Sequence, residues 1–212
     1  MSVSFSKKRI LDRVDLELHS ESIISISGKT GSGKTTLLSV ISGMLKPESG
    51  TVLFKEQNIY KWNDFQRSRY RNNKIGFIFQ SFNLLPNLTA FQNIIYPATL
   101  NHRSISIKDY ADCLIEYLEL EHVKDHYPYT LSGGEKQRVA IARAIINDPE
   151  IILADEPTGN LDEKTGRSIL LLLKDIKKRR GVSIIVATHN KNIIKDSDTH
   201  YHIINGKLDI KK

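Results

Sequence analysis

The sequence has a single cysteine, Cys113, among its 212 residues, so the chain cannot form an internal disulfide bond. No apolar run approaches the roughly 18 residues that a membrane-spanning helix needs. Residues 1–9 lack the apolar stretch and cleavage site of a secretion signal. We interpret Cys113 as a buried thiol on the apolar side of a helix. Together these absences favour a protein of the cytoplasm.

Positive charge is in excess but is not gathered into one block. The 31 Lys and Arg residues outnumber the 24 Asp and Glu residues, and the net charge is +7. The densest run, residues 177–180, follows apolar residues at helical spacing, where positive charge stabilises a helix C-terminus. Zinc-ligand spacings and aromatic residues interleaved with basic ones are missing. We therefore expect no nucleic-acid partner.

Residues 28–35 read GKTGSGKT and fit the phosphate-binding pattern G-x-x-x-x-G-K-[ST] at every defined position. A strand-like segment precedes this phosphate loop and a helical pattern follows it. In that order, backbone N–H groups and a helix N-terminus face an anion. Lys34 would reach the β- and γ-phosphates, and the Thr35 hydroxyl would bind magnesium. The alternative is a glycine-rich turn without a ligand. The residues assigned to the nucleotide here are Gly28, Lys29, Thr30, Gly31, Ser32, Gly33, Lys34, Thr35 and Thr36.

Two acidic residues, Asp155 and Glu156, follow the apolar segment at residues 151–154. Ligands of open α/β sheets collect at the carboxyl ends of strands, so both carboxylates would lie near the phosphates. Asp155 would hold magnesium through a water molecule, and Glu156 would polarise the water that attacks the γ-phosphate. The alternative is a surface acid pair that opens a turn with Pro157.

Residues 131–137, LSGGEKQ, contain a second anion-binding pattern. Ser132 and Glu135 form the S-x-x-E capping box of a helix N-terminus, where the helix dipole is positive. A capped helix alone explains these two residues. It does not explain Gly133 and Gly134, which weaken the first helical turn. We therefore assign the exposed backbone of the two glycines to the binding of an anion.

The order of the apolar segments predicts an α/β fold. A helical pattern around residues 169–176 separates the last two of three short apolar runs, as in a βαβ unit. Runs of this kind are typical of parallel strands buried on both faces. They are residues 75–79, 151–154 and 184–187. We therefore predict a mostly parallel sheet with helices on both sides.

A helical region interrupts the strands from about residue 89 to residue 147. Its first helix begins with a T-x-x-Q capping box at Thr89. A second helix is predicted from near Ser106, with an apolar stripe at spacings of three and four. We therefore predict an inserted helical subdomain at approximately residues 84–147.

The motifs, in this order, resemble those of the ATP-binding-cassette (ABC) ATPases. Residues 131–137 resemble the family signature, Gln80 the Q-loop glutamine, residues 159–162 the D-loop and His189 the switch histidine. The resemblance covers essentially the whole chain. It implies a single ABC ATPase domain, residues 1–212, with a P-loop NTPase core, a small antiparallel β subdomain and the inserted helical subdomain.

The same resemblance implies roles for individual residues, with ATP and Mg²⁺ as the bound groups. Gln80 would contact magnesium and sense the transporter subunit, and His189 would contact the γ-phosphate and position Glu156. In this family two cassettes pack head to tail, so the signature of one copy closes over ATP held by the other. The catalytic residues are then Lys34, Gln80, Glu156 and His189, and the nucleotide also contacts Ser132, Gly133, Gly134 and Asp162.

Residues 79–89 and 154–162 are similar to those of the lipoprotein-releasing, macrolide-exporter and antimicrobial-peptide-resistance ATPases. This implies an ATP-hydrolysing subunit at the cytoplasmic face of the membrane that drives a separate permease. Export, lipoprotein release or peptide resistance is favoured over nutrient import. The main alternative is a regulatory cassette coupled to a cell-division or cell-wall membrane partner. A soluble ABC ATPase acting on DNA or ribosomes, and a binding module without turnover, are weaker alternatives.

Three positions extend or depart from the family pattern. Phe5 stands where an aromatic residue stacks on adenine, and the alternative for Phe5 is a place in the core. Lys29 and Thr30 replace the more usual Pro and Ser of the phosphate loop. Lys29 either adds charge near the phosphates or points to solvent.

Overall fold

The computed structural model describes residues 1–6, 8–100 and 107–211. The described residues form ten strands: β1 (Val3–Phe5), β2 (Lys8–Leu11), β3 (Ile23–Ser27), β4 (Leu53–Phe54), β5 (Gln57–Asn58), β6 (Ile75–Ile78), β7 (Ile151–Asp155), β8 (Ser183–Ala187), β9 (Thr199–Ile204) and β10 (Lys207–Lys211). They also form seven α-helices: α1 (Lys34–Ile41), α2 (Asp64–Lys74), α3 (Ala90–Thr99), α4 (Ile107–Tyr117), α5 (Gly133–Ile145), α6 (Glu163–Arg180) and α7 (Lys191–Lys195). Short 3₁₀ turns lie at Ile59–Lys61, Glu121–Val123 and Pro128–Thr130.

The centre of the molecule is a six-stranded sheet in the order β10-β9-β3-β8-β7-β6. Neighbouring strands from β9 to β6 pair in parallel, and β10 pairs antiparallel to β9. The strand β3, which precedes the phosphate loop, lies in the middle of the sheet. The predicted βαβ unit is β7–α6–β8, and the prediction of a mostly parallel sheet is confirmed.

Two small antiparallel sheets, β1 with β2 and β4 with β5, accompany the main sheet. Helices α3, α4 and α5 come between β6 and β7 in the chain, so the α/β class with a helical insertion is confirmed. The bounds of that subdomain, residues 84–147, stay a prediction. The predicted start of the second helix near Ser106 lies outside the described residues.

Apolar side chains pack against both faces of the sheet. In β8, Ile184 and Val186 belong to the core shared with α3 to α6, whereas Ile185 and Ala187 belong to the core shared with α1. Since side chains alternate along a strand, a continuous apolar run is what a strand covered on both sides requires. Burying an aliphatic side chain of this size contributes about 1.5–3 kcal/mol, so the central strands form a stable platform.

The prediction for Cys113 is wrong, because this residue is exposed. It lies on α4, whose buried residues are Ala111, Leu114 and Ile115. Successive residues of an α-helix are about 100° apart around the axis, so Cys113 falls beside the apolar stripe and not on it. The stripe itself is as predicted.

The basic run at residues 177–180 ends α6, as expected. Gly181 follows it in the left-handed conformation with φ 61°, a common helix C-cap. Lys177 pairs with Asp198 at 3.4 Å and Arg180 with Asp148 at 2.6 Å. Within the described part of the chain, none of the helices has both the length and the apolar character needed to cross a bilayer.

Candidate active site

The segments after β3, β6, β7 and β8 meet at one edge of the sheet, because the carboxyl ends of parallel strands lie side by side. They enclose an open cleft of about 480 Å³. The structure therefore brings together residues from four distant parts of the sequence. The residues that line the cleft are Thr30, Gly31, Lys34, Thr35, Gln80, Asp155, Glu156, Thr158, Gly159, Thr188, His189 and Asn190.

The phosphate loop turns directly from β3 into α1. Gly33 is the N-cap of α1 and has φ 107°, a conformation that side-chain-bearing residues rarely adopt. A Cβ atom at this position would lie 2.9 Å from Leu11 Cδ2 and 3.2 Å from the carbonyl oxygen of Ile10. Glycine is therefore required at position 33 by packing against β2, in addition to any contact with a phosphate.

Lys34 is almost fully buried, with 7% of its surface exposed. Its ammonium group donates hydrogen bonds to the carbonyl oxygens of Gly28 at 2.8 Å and Lys29 at 3.5 Å. It also donates to His189 Nε2 at 3.2 Å. The side chain thus crosses the loop and presents its charge to the cleft, where an anion would find a desolvated cation.

The Thr35 hydroxyl donates a hydrogen bond of 2.7 Å to Asp155 Oδ2. A hydroxyl and a carboxylate from adjacent elements are the hard oxygen ligands that magnesium prefers. Among the described residues, no cluster of three His, Cys, Asp or Glu side chains offers a complete metal cage. The pair therefore fits an ion that takes its remaining ligands from phosphate and water.

Glu156 is held in an unusual conformation at the end of β7. Its φ of 44° is in the left-handed region, which costs about 1–3 kcal/mol for such a residue and is often found at functional sites. Its backbone N–H donates to the carbonyl oxygen of Ala187 at 2.8 Å, and its Oε2 accepts from the backbone N–H of His189 at 3.3 Å. Both contacts tie Glu156 to β8 and the loop after it.

The other carboxylate oxygen of Glu156 has no aligned hydrogen bond although it is buried. Oε1 lies 3.0 Å from His189 Nε2 and 3.7 Å from Lys34 Nζ. Since an ammonium only donates, its bond to Nε2 makes that nitrogen an acceptor with no proton for Oε1. Oε1 is therefore a buried acceptor without an aligned donor, held between the imidazole of His189 and the ammonium group of Lys34.

The signature residues lie elsewhere, and none of Ser132, Gly133 and Gly134 lines the cleft. The predicted capping box is present: Ser132 Oγ accepts from the backbone N–H of Glu135, and the Glu135 side chain accepts from that of Ser132. The Ser132 hydroxyl also donates to Glu135 Oε2 at 2.7 Å, which lowers the pKa of Glu135. The single hydroxyl proton of Ser132 is therefore directed at Glu135 in this chain.

The two signature glycines also have a packing role. A Cβ atom on Gly134 would lie 2.8 Å from Thr165 Cγ2, and one on Gly133 would lie 3.2 Å from Leu161 Cδ2. The absence of side chains therefore lets α5 approach the D-loop and the start of α6. An anion is not the only reason for glycine at these positions.

Replacing Gly134 with alanine tests this packing, because the close contact and the helix propensity of alanine change the stability in opposite directions. Alanine in place of glycine inside a helix normally stabilises by about 0.5–1 kcal/mol, but overpacking costs about 1–3 kcal/mol. We expect Gly134→Ala to lower the melting temperature, and to raise it in a Thr165→Ser background, which lacks the Cγ2 methyl. A stabilising Gly134→Ala in the unmodified chain would contradict the clash.

Phe5 and Asp162 also lie outside the residues that line the cleft. Phe5 is 48% exposed, which excludes its alternative place in the core and leaves the ring available for stacking. Asp162 is the N-cap of α6, and its Oδ1 accepts from the backbone N–H of Thr165 at 3.0 Å. Hydrogen bonds from the side chain of Thr165 and then from its backbone N–H lower the pKa of Asp162. Its role toward a nucleotide stays a prediction.

Four further residues line the cleft without having been predicted: Thr158, Gly159, Thr188 and Asn190. Thr188 and Asn190 flank His189 after β8, and Thr158 and Gly159 lie two and three residues after Glu156 at the end of β7. Their position after a strand end is the signal that could have identified them. Lys29, by contrast, is exposed and does not line the cleft.

Comparison with known proteins shows the family of the chain. The model of the ABC transporter family matches residues 11–159. The chain belongs to the ABC transporter family. The resemblance of its motifs to this family is therefore confirmed.

Individual relatives cover nearly the full length of this ABC protein. The lipoprotein-releasing system ATP-binding protein LolD of Myxococcus xanthus is 38% identical over 94% of this chain and 89% of that protein. LolD of Bacteroides thetaiotaomicron is 38% identical over 97% and 94%. The solved ATP-binding cassette MJ0796, a dimer bound to ADP and Pi, is 36% identical with a TM-score of 0.91, covering 100% of this chain and 94% of that one.

Proposed function

We propose that this chain is the ATP-hydrolysing subunit of an ABC transporter complex. One observation carries the proposal: Lys34, Glu156 and His189 converge at 3.0–3.7 Å in one cleft at the end of the phosphate loop. A desolvated cation, a carboxylate with an unsatisfied oxygen and an imidazole are the groups that phosphoryl transfer to water needs. The reaction is ATP and water to ADP and phosphate.

The proposed chemistry assigns each side chain a task. Lys34 binds the β- and γ-phosphates, the Glu156 carboxylate accepts a proton from the attacking water, and His189 contacts the γ-phosphate. Thr35, Gln80 and Asp155 would hold Mg²⁺, with Asp155 acting through a water. Bound there, the ion would neutralise charge on the phosphate oxygens. Phe5, exposed on β1, would stack on the adenine.

A second copy of the chain completes the proposed site. The signature lies off the cleft, on the N-terminus of α5, where backbone N–H groups and the helix dipole favour an anion. A head-to-tail pair would bring Ser132, Gly133 and Gly134 of one copy to the γ-phosphate held by the other, with Asp162 at the same interface. The dimer bound to ADP and Pi, reported for MJ0796, supports this arrangement.

Mixing two inactive variants tests the shared site. Lys34→Ala removes the phosphate lysine, and Ser132→Arg places a bulky side chain at the exposed signature serine. Each homodimer has two damaged sites, whereas a mixed dimer has one site with both intact halves. We expect phosphate release from the mixture although neither variant is active alone. A mixture as inactive as its components would contradict a site shared between copies.

The proposed permease contact is a second groove, lined from α2, β6, α3 and α5. Its apolar side chains Met44, Phe65 and Leu100 are 51%, 70% and 61% exposed and line the same groove, and apolar groups exposed together mark interaction sites. Arg69 and Arg71 line it as well. We propose that a helix of a separate permease at the cytoplasmic face of the membrane binds there, in a complex for lipoprotein release or export.

A photo-crosslinking amino acid at position 65 tests the permease contact. In cells of the source organism it should attach an integral-membrane protein, while the same group at Ile210, exposed on the edge strand β10, should not. Crosslinking to a permease that transports a lipoprotein or a peptide supports the proposal. Attachment of a cell-division or cell-wall regulator would favour the regulatory alternative, whose ATP chemistry is the same.

A further inference from the structure

Arg143, in the last turn of α5, contacts the tight turn at residues 79–83 that follows β6. Its Nη1 atom donates to the carbonyl oxygen of Asn83 at 2.6 Å, and its Nη2 atom to that of Phe82 at 2.8 Å. A planar guanidinium can hold two acceptors in this forked way, whereas a lysine ammonium is a point charge. Arg143 therefore clamps two consecutive carbonyl groups.

The clamped turn has a strained backbone. Phe82 and Asn83 have φ values of 62° and 49°, and two consecutive left-handed residues that are not glycine are uncommon. Such a conformation persists only when the surroundings hold it. Gln80 lies two residues before Phe82 and lines the cleft. The turn held by Arg143 therefore adjoins Gln80, whose own carbonyl oxygen accepts a hydrogen bond of 2.9 Å from Asn160 Nδ2.

The surroundings of Arg143 indicate that these carbonyl groups are its main partners. Within the described residues, none of the salt bridges involves Arg143. Burial lowers its pKa, so the charge is partly desolvated without an acidic partner to compensate it. A charge in such a place is costly unless it is hydrogen bonded, and the turn provides the hydrogen bonds.

The other end of the same helix carries the signature. α5 has 13 residues, which makes it about 20 Å long, and its N-cap is Ser132. The contact of Arg143 therefore links the turn at residues 79–83 to the helix whose other end carries the signature. Arg143 and Asn83 also line the groove proposed for the permease.

We propose that Arg143 is a positioning residue that holds the turn at residues 79–83, places Gln80 in the cleft and joins this turn to the signature helix. The inference rests on the proposed ATPase function. It assigns Arg143 no contact with ATP, because its action passes through Phe82 and Asn83.

The test compares Arg143→Lys with Arg138→Lys, a matched exchange on the same helix. Arg138 donates to the carbonyl oxygen of Leu118 at 3.1 Å and pairs with Glu119. In phosphate release by the purified protein, Arg143→Lys should lower kcat about tenfold and change the KM for ATP less than about twofold, because misplacing a catalytic group costs rate more than binding. Arg138→Lys should keep kcat within about twofold.

Two further measurements separate positioning from a merely structural role. In a double-mutant cycle, adding Arg143→Lys to Gln80→Ala should lower kcat no further, because the two changes act on one interaction. Backbone amides of residues 79–83 should exchange hydrogen faster in Arg143→Lys, while the amides of α5 exchange as in the unmodified chain.

The proposal is wrong if Arg143→Lys lowers kcat by the same factor in the unmodified chain and in Gln80→Ala. It is also wrong if the backbone amides of residues 79–83 exchange hydrogen at the same rate in Arg143→Lys as in the unmodified chain. If the unmodified chain releases no phosphate, the proposed ATPase function fails, and the exchange measurement alone decides on the clamp. Should Arg143→Lys not fold, Arg143→Gln replaces it in the same cycle. The amide of glutamine is neutral, so its partial burial does not require an acidic partner.

Discussion

Replacing Glu156 with glutamine is expected to abolish ATP hydrolysis and to accumulate an ATP-bound dimer. Glutamine keeps the shape of the side chain, which is only 14% exposed, but its amide cannot take a proton from water. General-base catalysis contributes about 10²–10⁴-fold in rate, so phosphate release should fall by about that factor. ATP that is not cleaved should keep the two copies together, which size-exclusion chromatography with ATP would detect.

Glu163→Gln is the matched control for this change. Glu163 is an exposed acid in the first turn of α6, a few residues further along the chain, and its loss should leave phosphate release unchanged. Hydrolysis by Glu156→Gln at the rate of the unmodified protein would remove Glu156 from the role of base. The unsatisfied Oε1 would then need another explanation.

Replacing Lys34 with alanine should abolish ATP binding. The ammonium group, held at 2.8 Å by the carbonyl oxygen of Gly28, is the buried cation that faces the cleft. Hydrogen bonds to charged groups contribute about 1.5–3 kcal/mol each, so the loss of contacts to two phosphates should weaken binding by about 100-fold or more. Fluorescence titration with a labelled ATP would measure this.

Lys29→Ala provides the control for Lys34→Ala within the same loop. Lys29 is exposed and lies outside the residues that line the cleft, so its loss should change the affinity for ATP by less than about threefold, as for a screened surface charge. Equal losses in both variants would mean that general positive charge, and not the position of Lys34, binds the nucleotide. Retained affinity in Lys34→Ala would refute the assignment of the phosphate loop.

Hairpins show why some elements could be predicted from the sequence and others could not. The turn between β9 and β10 is Asn205 and Gly206, both with positive φ, and Asn-Gly is a strong hairpin signal. The turn between β4 and β5 is Lys55 and Glu56, also with positive φ. Neither residue type favours that conformation, so only the tertiary packing of the small sheet explains it.

Helix starts were the most predictable local feature. Thr89 and Ser132 each form the capping box that their sequence indicates, because all of its hydrogen bonds lie within four residues of chain. The prediction that Cys113 is buried is wrong. For a single residue beside an apolar stripe, a rotation of a few tens of degrees around the helix axis decides whether its side chain is buried or exposed.

The sequence by itself determined which residues we assign to the chemistry, because the phosphate loop, the acids after β7 and the signature are each short segments with local geometry. The tertiary structure alone decided how they are combined. Lys34 meets Glu156 and His189 only because β3, β7 and β8 are neighbours in the sheet. The separation of the signature from the cleft, the contact of Gly134 with Thr165 and the clamp of Arg143 on Phe82 and Asn83 likewise join distant segments. Contacts of this kind follow from packing and leave no pattern in either segment alone.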